Sequence, residues 1–329
     1  MALNMENIGK PLAVIVDEKI HRDKTKRSGK RDPKFNKIVS MAEDFEMDAV
    51  KDPLTHVELP KGQIFQHISN ENEKNPKLRR RIIYTSGKSG SGKTYYTADY
   101  VREYVRQSPK NRIILFSSLE SDETLDEIKQ VKRVKVKTQG FVSETFTIDQ
   151  FKDTLVIFDD TDCIKDKGIT NQINHIADIV LQTGRHTNTS MIFTSHLSCA
   201  GKSTQLILCE SHSIVFFPSA MTSHALNYLC QTYIGLDKKQ VKMIQKDKSR
   251  YVTYFKGCPP VLMFKNKICF VADYGDATFK KSADSNDDSI IEEPKYKSND
   301  KYLCKTCNVK VLYRNKQRHE QTPKHLKNV

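Results

Sequence analysis

Gly87-Lys88-Ser89-Gly90-Ser91-Gly92-Lys93-Thr94 spaces its glycines and terminal lysine as a loop that wraps phosphates does. Before it, Arg81-Ile82-Ile83-Tyr84-Thr85 is a short apolar run that predicts a buried strand. After it, Tyr95 to Gln107 lacks Pro and Gly and predicts a helix. That order matters physically. The backbone N–H groups of Gly90, Gly92 and Lys93 converge on an anion only where the loop opens a helix whose N-terminus carries partial positive charge. Glycine permits the dihedrals such a loop needs. Lys93 is then the candidate to reach the β- and γ-phosphates, and the Thr94 hydroxyl the candidate to complete Mg2+ coordination. A merely flexible Gly/Ser turn would leave the flanking strand and helix unexplained. A second Gly-Lys-Ser, at 201–203, is set aside because His196 stands where its first glycine should be.

With 329 residues the chain can bury a sizeable core, which predicts one large domain with appended pieces. Its hydrophobic content is 37%. No apolar run approaches the roughly 18 residues of a membrane span, and the N-terminus lacks the apolar core of a secretory signal. A soluble, intracellular protein without a membrane partner is therefore expected. Cys163, Cys199, Cys209, Cys230, Cys258 and Cys269 are widely spaced, as reduced core thiols are, which argues against a secreted disulfide scaffold.

The net charge of +14 is concentrated at the two ends. From Lys19 to Lys37, nine Lys/Arg face only Asp23 and Asp32, for +7; from Lys295 to Val329, ten face only Asp300 and Glu320, for +8. The remaining body is near neutral. Basic extremities on a neutral body fit a protein that handles a polyanion. For the N-terminal run, a nuclear address explains the charge equally well.

Taken in order, residues 1–37 read as a basic N-terminal arm, and Phe35 to Val50 has helical spacing. Thr55 to Ile68 predicts one or two edge strands. After the phosphate loop, Arg112 to Ser117 is a second apolar strand, Asp122 to Lys129 a short acidic helix, and Val131 to Lys137 an exposed strand. Thr154 to Phe158 is a third buried strand, followed by a helix over Ile169 to Gln182 and strands at Thr189 to Thr194 and Ser213 to Phe217. Helices over Ala225 to Tyr233 and Lys238 to Lys248 precede a β-meander of Tyr251 to Phe255, Val261 to Phe264 and Ile268 to Val271. The alternation predicts an α/β fold: a P-loop domain over 38–275 with a mostly parallel sheet covered by helices on both faces. Ligands of such sheets sit at the carboxyl ends of the strands. Residues 276–300, rich in Ser, Asp, Asn, Lys and Glu, read as a flexible linker.

The second acidic site decides among P-loop classes. Leu155 to Phe158 followed by Asp159-Asp160 has the form of a Walker B strand, with Asp159 the candidate for Mg2+ and Asp160 for polarising the attacking water. Adjacent acids at a strand end also serve as a turn or capping device, but the phosphate loop upstream favours chemistry. At least one strand, Arg112 to Ser117, lies between the P-loop strand and this one, which resembles the additional-strand class of P-loop ATPases with a second catalytic acid, although that acid is Asp160 here rather than the commoner Glu. No Asn-Lys-x-Asp guanine motif occurs, which favours ATP.

Together, Gly-Lys-Ser-Gly-Ser-Gly-Lys-Thr at 87–94, Ile-Phe-Asp-Asp at 157–160, Gly-Arg-His at 184–186 and Phe-Thr-Ser-His at 193–196 resemble the FtsK/HerA-type genome-packaging ATPases of large DNA viruses, virophages and related transposons. The likeness runs roughly from Arg81 to Phe217. It implies ATP hydrolysis coupled to double-stranded DNA translocation by a ring-shaped homo-oligomer that meets capsid proteins. It also implies that Arg185 acts on the neighbouring subunit's nucleotide and that His196 senses the γ-phosphate, although the wider superfamily often has glutamine there. Otherwise Arg185 would serve as a cation at a helix C-terminus, and His196 as a hydrogen-bonded strand-end residue.

At the C-terminus, residues 301–329 contain Cys304, Cys307, His319 and His325, the four N/S ligands of a closed tetrahedral Zn2+ site. Pro323 breaks the helix between the two histidines, which are six residues apart. The resulting expectation is an ATP-driven DNA translocase that packages a viral genome, with a C2H2-type zinc finger. A helicase on the same motor, or a zinc-finger DNA-binding scaffold with structural nucleotide binding, are the alternatives.

Overall fold

The computed structural model describes residues 2–16, 37–199, 202–274, 301–304 and 309–312. The chain divides into two units, residues 1–279 and 280–329. Ahead of the phosphate loop come β1 (Leu3–Asn4), β2 (Lys10–Val16), β3 (Ile38–Met41), β4 (His56–Glu58) and β5 (Gln63–Gln66). Four of these make an antiparallel sheet in the order β1-β3-β2-β5. Residues 2–16 are therefore built into the fold, which corrects the reading of an arm from residue 1. The basic run at 19–36 lies outside the described residues.

The helix expected over Phe35 to Val50 is also corrected. Ile38, Met41, Ala42 and Phe45 have helical i, i+3, i+4, i+7 spacing, but Phe45 is 73% exposed and the β-branched Ile38 and Val39 lie in a strand paired on both sides. Among the described residues of this stretch only Asp44–Met47 is helical. Leu3, Leu12, Ala13, Val39, Met41 and Ile64 then share one apolar cluster with residues of the sheet described next.

That larger sheet contains β6 (Ile82–Ser86), β7 (Arg112–Ser117), β8 (Val131–Arg133), β9 (Thr154–Asp159), β10 (Ser190–Ser195) and β11 (Ser213–Phe216), followed by β12 (Val252–Phe255), β13 (Val261–Met263) and β14 (Lys267–Phe270). Its order is β4-β14-β13-β12-β11-β6-β10-β9-β7-β8. From β11 to β8 every neighbouring pair is parallel; from β4 to β11 every pair is antiparallel.

The continuous apolar runs follow from burial on both faces. Along β6 and β9, Ile82, Tyr84, Val156 and Phe158 enter the core on one side, which the helix Lys167–Thr183 covers. Ile83, Leu155 and Ile157 enter the core on the other, beneath the helix Lys93–Gln107. Each such side chain removed from water contributes roughly 1.5–3 kcal/mol. One further departure occurs after Ser223–Tyr228: Leu229–Ile234 widens into a π-helical turn ending at Gly235.

In the unit 280–329, β15 (Lys301–Cys304) pairs antiparallel with β16 (Val309–Leu312), setting Tyr302 opposite Val311. Of the expected zinc ligands, Cys304 ends β15; Cys307, His319 and His325 lie outside the described residues.

Leu3 is fully buried. Leu3→Ala should therefore cost about 2–5 kcal/mol. The check is a lower urea midpoint with an unchanged slope, whereas an unchanged midpoint would return residues 2–16 to an appended arm.

Candidate nucleotide site

Parallel pairing sets Ser195 beside Ser86 and Phe193 beside Phe158, so the loops leaving β6, β9 and β10 emerge on the same edge of the sheet. From β6 the chain enters the phosphate loop, held to β10 by the Gly87 N–H donating to the Ser195 carbonyl at 3.1 Å. Gly92 precedes the helix with φ 112°, and a Cβ there would lie 2.8 Å from the Arg250 guanidinium. A Cβ on Gly87 would meet Ser91 Oγ at 2.7 Å. Both positions thus require glycine. Lys88, Ser89 and Gly90 face solvent, whereas Ser91 and Lys93 are buried.

Lys93 Nζ donates to the Gly87 carbonyl at 2.8 Å and lies 3.4 Å from Asp160 Oδ1. Asp159 and Asp160 are organised by Thr194, at the end of β10. The Asp160 N–H donates to Thr194 Oγ1 at 2.9 Å, and that hydroxyl faces Asp159 Oδ1 at 3.0 Å and Asp160 Oδ1 at 3.2 Å. Carrying one proton, the hydroxyl donates to one carboxylate at a time. Asp160 sits in the left-handed region at φ 50°, which turns its side chain back toward the loop. Burial, followed by the neighbouring Asp160 charge, pushes the Asp159 carboxyl up to about 6, with the Thr194 hydrogen bond pulling it part of the way back.

His196, just past β10, is tied to the same edge. Its Nε2 lies 3.5 Å from Asp160 Oδ2, its N–H donates to Asp162 Oδ2 at 2.8 Å, and its Nδ1 faces Asp162 Oδ1 at 3.4 Å. Ser195 Oγ also donates to Asp162 Oδ2, at 2.8 Å. Burial works against ionisation of Asp162, but the donors from His196 and Ser195 outweigh it and hold the carboxyl below its usual range.

The structure thus brings Gly87 to Thr94, Asp159, Asp160 and His196 together. Arg185 is apart from them. It is exposed in the turn that enters β10, so the six residues of that strand separate it from the phosphate loop, roughly 20 Å at 3.3 Å per residue. The helix end that Arg185 would serve on the alternative reading is capped by another cation. Arg80 donates through Nε to the Thr189 carbonyl at 2.9 Å and through Nη2 to the Leu181 carbonyl at 3.1 Å.

Sequence reasoning missed Thr194, Arg80 and Arg250. Arg250 donates from Nε to the Ser91 carbonyl at 3.0 Å and so braces the phosphate loop from the segment before β12. No local pattern marks it. Thr194 had a signal, as the residue at the end of a strand adjacent to the acidic one.

Over 191 residues the chain is 37% identical to "Uncharacterized protein V3" of Sputnik virophage, an alignment covering 57% of this chain and 76% of V3. The chain belongs to the V3 family. No protein-family model matches it. Solved structures similar to this V3-family chain include the genome packaging NTPase B204 from Sulfolobus turreted icosahedral virus 2 in complex with AMP (TM-score 0.38, 16% identity, 55% of this chain and 93% of B204). The type VII secretion ATPase EccC of Thermomonospora curvata aligns at TM-score 0.42 and 8% identity, over 64% of this chain and 28% of EccC. The pCW3 conjugation coupling protein TcpA with ATPγS aligns at TM-score 0.38 and 12% identity, over 74% of this chain and 75% of TcpA.

Because Asp159 titrates near 6 when folded and near 3.8 otherwise, its ionisation disfavours the nucleotide-free fold. The stabilisation from its neutral form is complete below about 3.8 and lost as pH rises through 6, a loss of about 3 kcal/mol by pH 7.5. Asp159→Asn, uncharged throughout, is therefore expected to raise the denaturation midpoint of the free protein at pH 7.5, and by about half as much at pH 5. A variant less stable than wild type at both pH values would contradict the assignment.

Proposed function

We propose that this chain is an ATPase that translocates double-stranded DNA, and that its task is to load a viral genome into a capsid. The observation that carries the ATPase reading is the convergence of Lys93, Asp159, Asp160 and Thr194 at the mouth of a glycine loop that opens a 15-residue helix. Lys93 is only 4% exposed and faces a carbonyl and a carboxylate, a position from which its charge can be handed to a phosphate. Ser86 Oγ, just before the loop, and Ser91 Oγ, within it, are buried without a hydrogen-bond partner among the described residues.

The site fits a nucleotide with Mg2+. Asp159 is buried where its own ionisation is disfavoured, a condition that a divalent cation relieves. Thr94 and Asp159 would hold the Mg2+, which supplies charge neutralisation on the phosphates when bound. Lys93 binds the phosphates, and Asp160 accepts the proton of the attacking water. His196 orients Asp160 through Nε2, so any response to the γ-phosphate passes through that carboxylate.

DNA as substrate is supported by the basic runs at 19–37 and 295–329. Membership of a virophage family supports the packaging role. Cys304, Cys307, His319 and His325 are proposed as the ligands of a Zn2+ finger, with capsid protein or DNA as its partner. Arg185, exposed and free of the capping duty that Arg80 performs, is proposed to reach a neighbouring subunit's nucleotide in a ring.

Lys93→Ala should lose ATP binding and turnover, whereas Asp160→Asn should keep binding and lose turnover. Equal loss of binding in both would remove Asp160 from catalysis. On double-stranded DNA carrying a third, triplex-forming strand, ATP-dependent displacement of that strand is expected. Separation of a forked duplex instead would make the chain a helicase.

An arginine acting in trans contributes roughly 10³ to 10⁵ in rate. Inactive Arg185→Ala and inactive Lys93→Ala proteins should accordingly regain activity when mixed, since a mixed interface pairs an intact loop with an intact arginine. If subunits exchange and the mixture stays inactive, Arg185 has no such role.

A further inference from the structure

Beside the nucleotide site, three side chains from two loops point metal-ligating atoms at one another. Asp162 and Cys163 lie in the short 3-10 turn after β9, and His196 follows β10. His196 Nδ1 is 3.4 Å from Asp162 Oδ1 and 3.3 Å from Cys163 Sγ, and Cys163 Sγ is 3.8 Å from Asp162 Oδ1. A tetrahedral Zn2+ with Zn–S of about 2.3 Å and Zn–N and Zn–O of about 2.0–2.2 Å separates its ligand atoms by roughly 3.4–3.6 Å. The three distances lie within about 0.3 Å of the edges of one face of such a tetrahedron.

The surroundings are those of a prepared site. Asp162 commits Oδ2 to the Ser195 hydroxyl and the His196 N–H, leaving Oδ1 turned to the cluster. His196 directs Nε2 to Asp160 Oδ2 at 3.5 Å, so with Nδ1 as ligand the other ring nitrogen carries the proton and donates it to a carboxylate. That histidine–carboxylate pairing is the usual outer-sphere support of a metal-bound imidazole. Cys163 is exposed, and the Asp162 and His196 side chains are about a quarter exposed, which leaves an entry path and a fourth position for water.

We propose that Asp162, Cys163 and His196 form a three-ligand site for Zn2+ or a similar borderline-soft divalent cation. Binding replaces the thiol proton of Cys163 with the metal and releases that proton to solvent, so the thiolate and the Asp162 carboxylate together neutralise the ion. The residue set excludes Mg2+ and Ca2+, which take oxygen ligands. A consequence, which rests on the ATPase reading, is that the bound ion fixes the His196 Nε2–H on Asp160 and slows turnover.

The test uses the full chain with Cys304→Ser and Cys307→Ser, so that the finger offers no thiolate. Titration with Co2+ should produce a thiolate-to-cobalt charge-transfer band and tetrahedral d–d bands at one equivalent. Cys163→Ser should abolish the charge-transfer band. Asp162→Asn should weaken binding by more than about tenfold, since loss of an outer-sphere partner alone costs 10–100-fold. Cys163→His should restore Zn2+ binding without the charge-transfer band. Absence of the band in the parent, or its persistence in Cys163→Ser, would overturn the site whatever the ATPase activity. Zn2+ inhibition of turnover in the parent but not in Cys163→Ser is expected if the ATPase reading also holds.

Discussion

The parallel pairing of β6, β10 and β9 is the constraint on which the rest of this molecule depends. Phosphate loop, Thr194 and acidic pair lie far apart in sequence, and only the strand register brings them within hydrogen-bonding distance. A slip of one residue in β10 would turn Thr194 to the opposite face and leave Asp159 and Asp160 without their shared hydroxyl. The register is held by burial on both faces, Ile192 entering one core while Met191 enters the other.

Electrostatics at this edge is organised around an excess of negative charge. Asp159, Asp160 and Asp162 follow within four residues, met by Lys93 and His196. In the free protein the cost appears in the raised Asp159 carboxyl. Mg2+ at Asp159 would relieve one part of that excess, and the proposed Zn2+ at Asp162 another. His196 links the two parts, with Nε2 facing Asp160 and Nδ1 facing Asp162.

Much of this was legible in the sequence, for reasons that explain the failures. β6, β7, β9 and β10 are apolar without alternation because they have a core on each side, and the glycines at 90 and 92 stand where the backbone takes a positive φ. Residues 2–16 were misread because their strands alternate weakly, and burial comes from partner strands remote in sequence. At Ile38 to Phe45, a helical coincidence of apolar positions masked a strand. Arg250, 159 residues from its Ser91 partner, and Arg80, about 100 residues from the helix end it caps, have no local signature. Such contacts exist only once the chain has folded.

The central claim is that this edge hydrolyses ATP for the sake of moving DNA. It is tested most directly by the rate of Mg2+-dependent ATP hydrolysis by the full chain, measured with and without double-stranded DNA, with Lys93→Ala as control. Turnover that double-stranded DNA accelerates and Lys93→Ala abolishes is the result expected. ATP bound without turnover, or turnover indifferent to DNA, would contradict it.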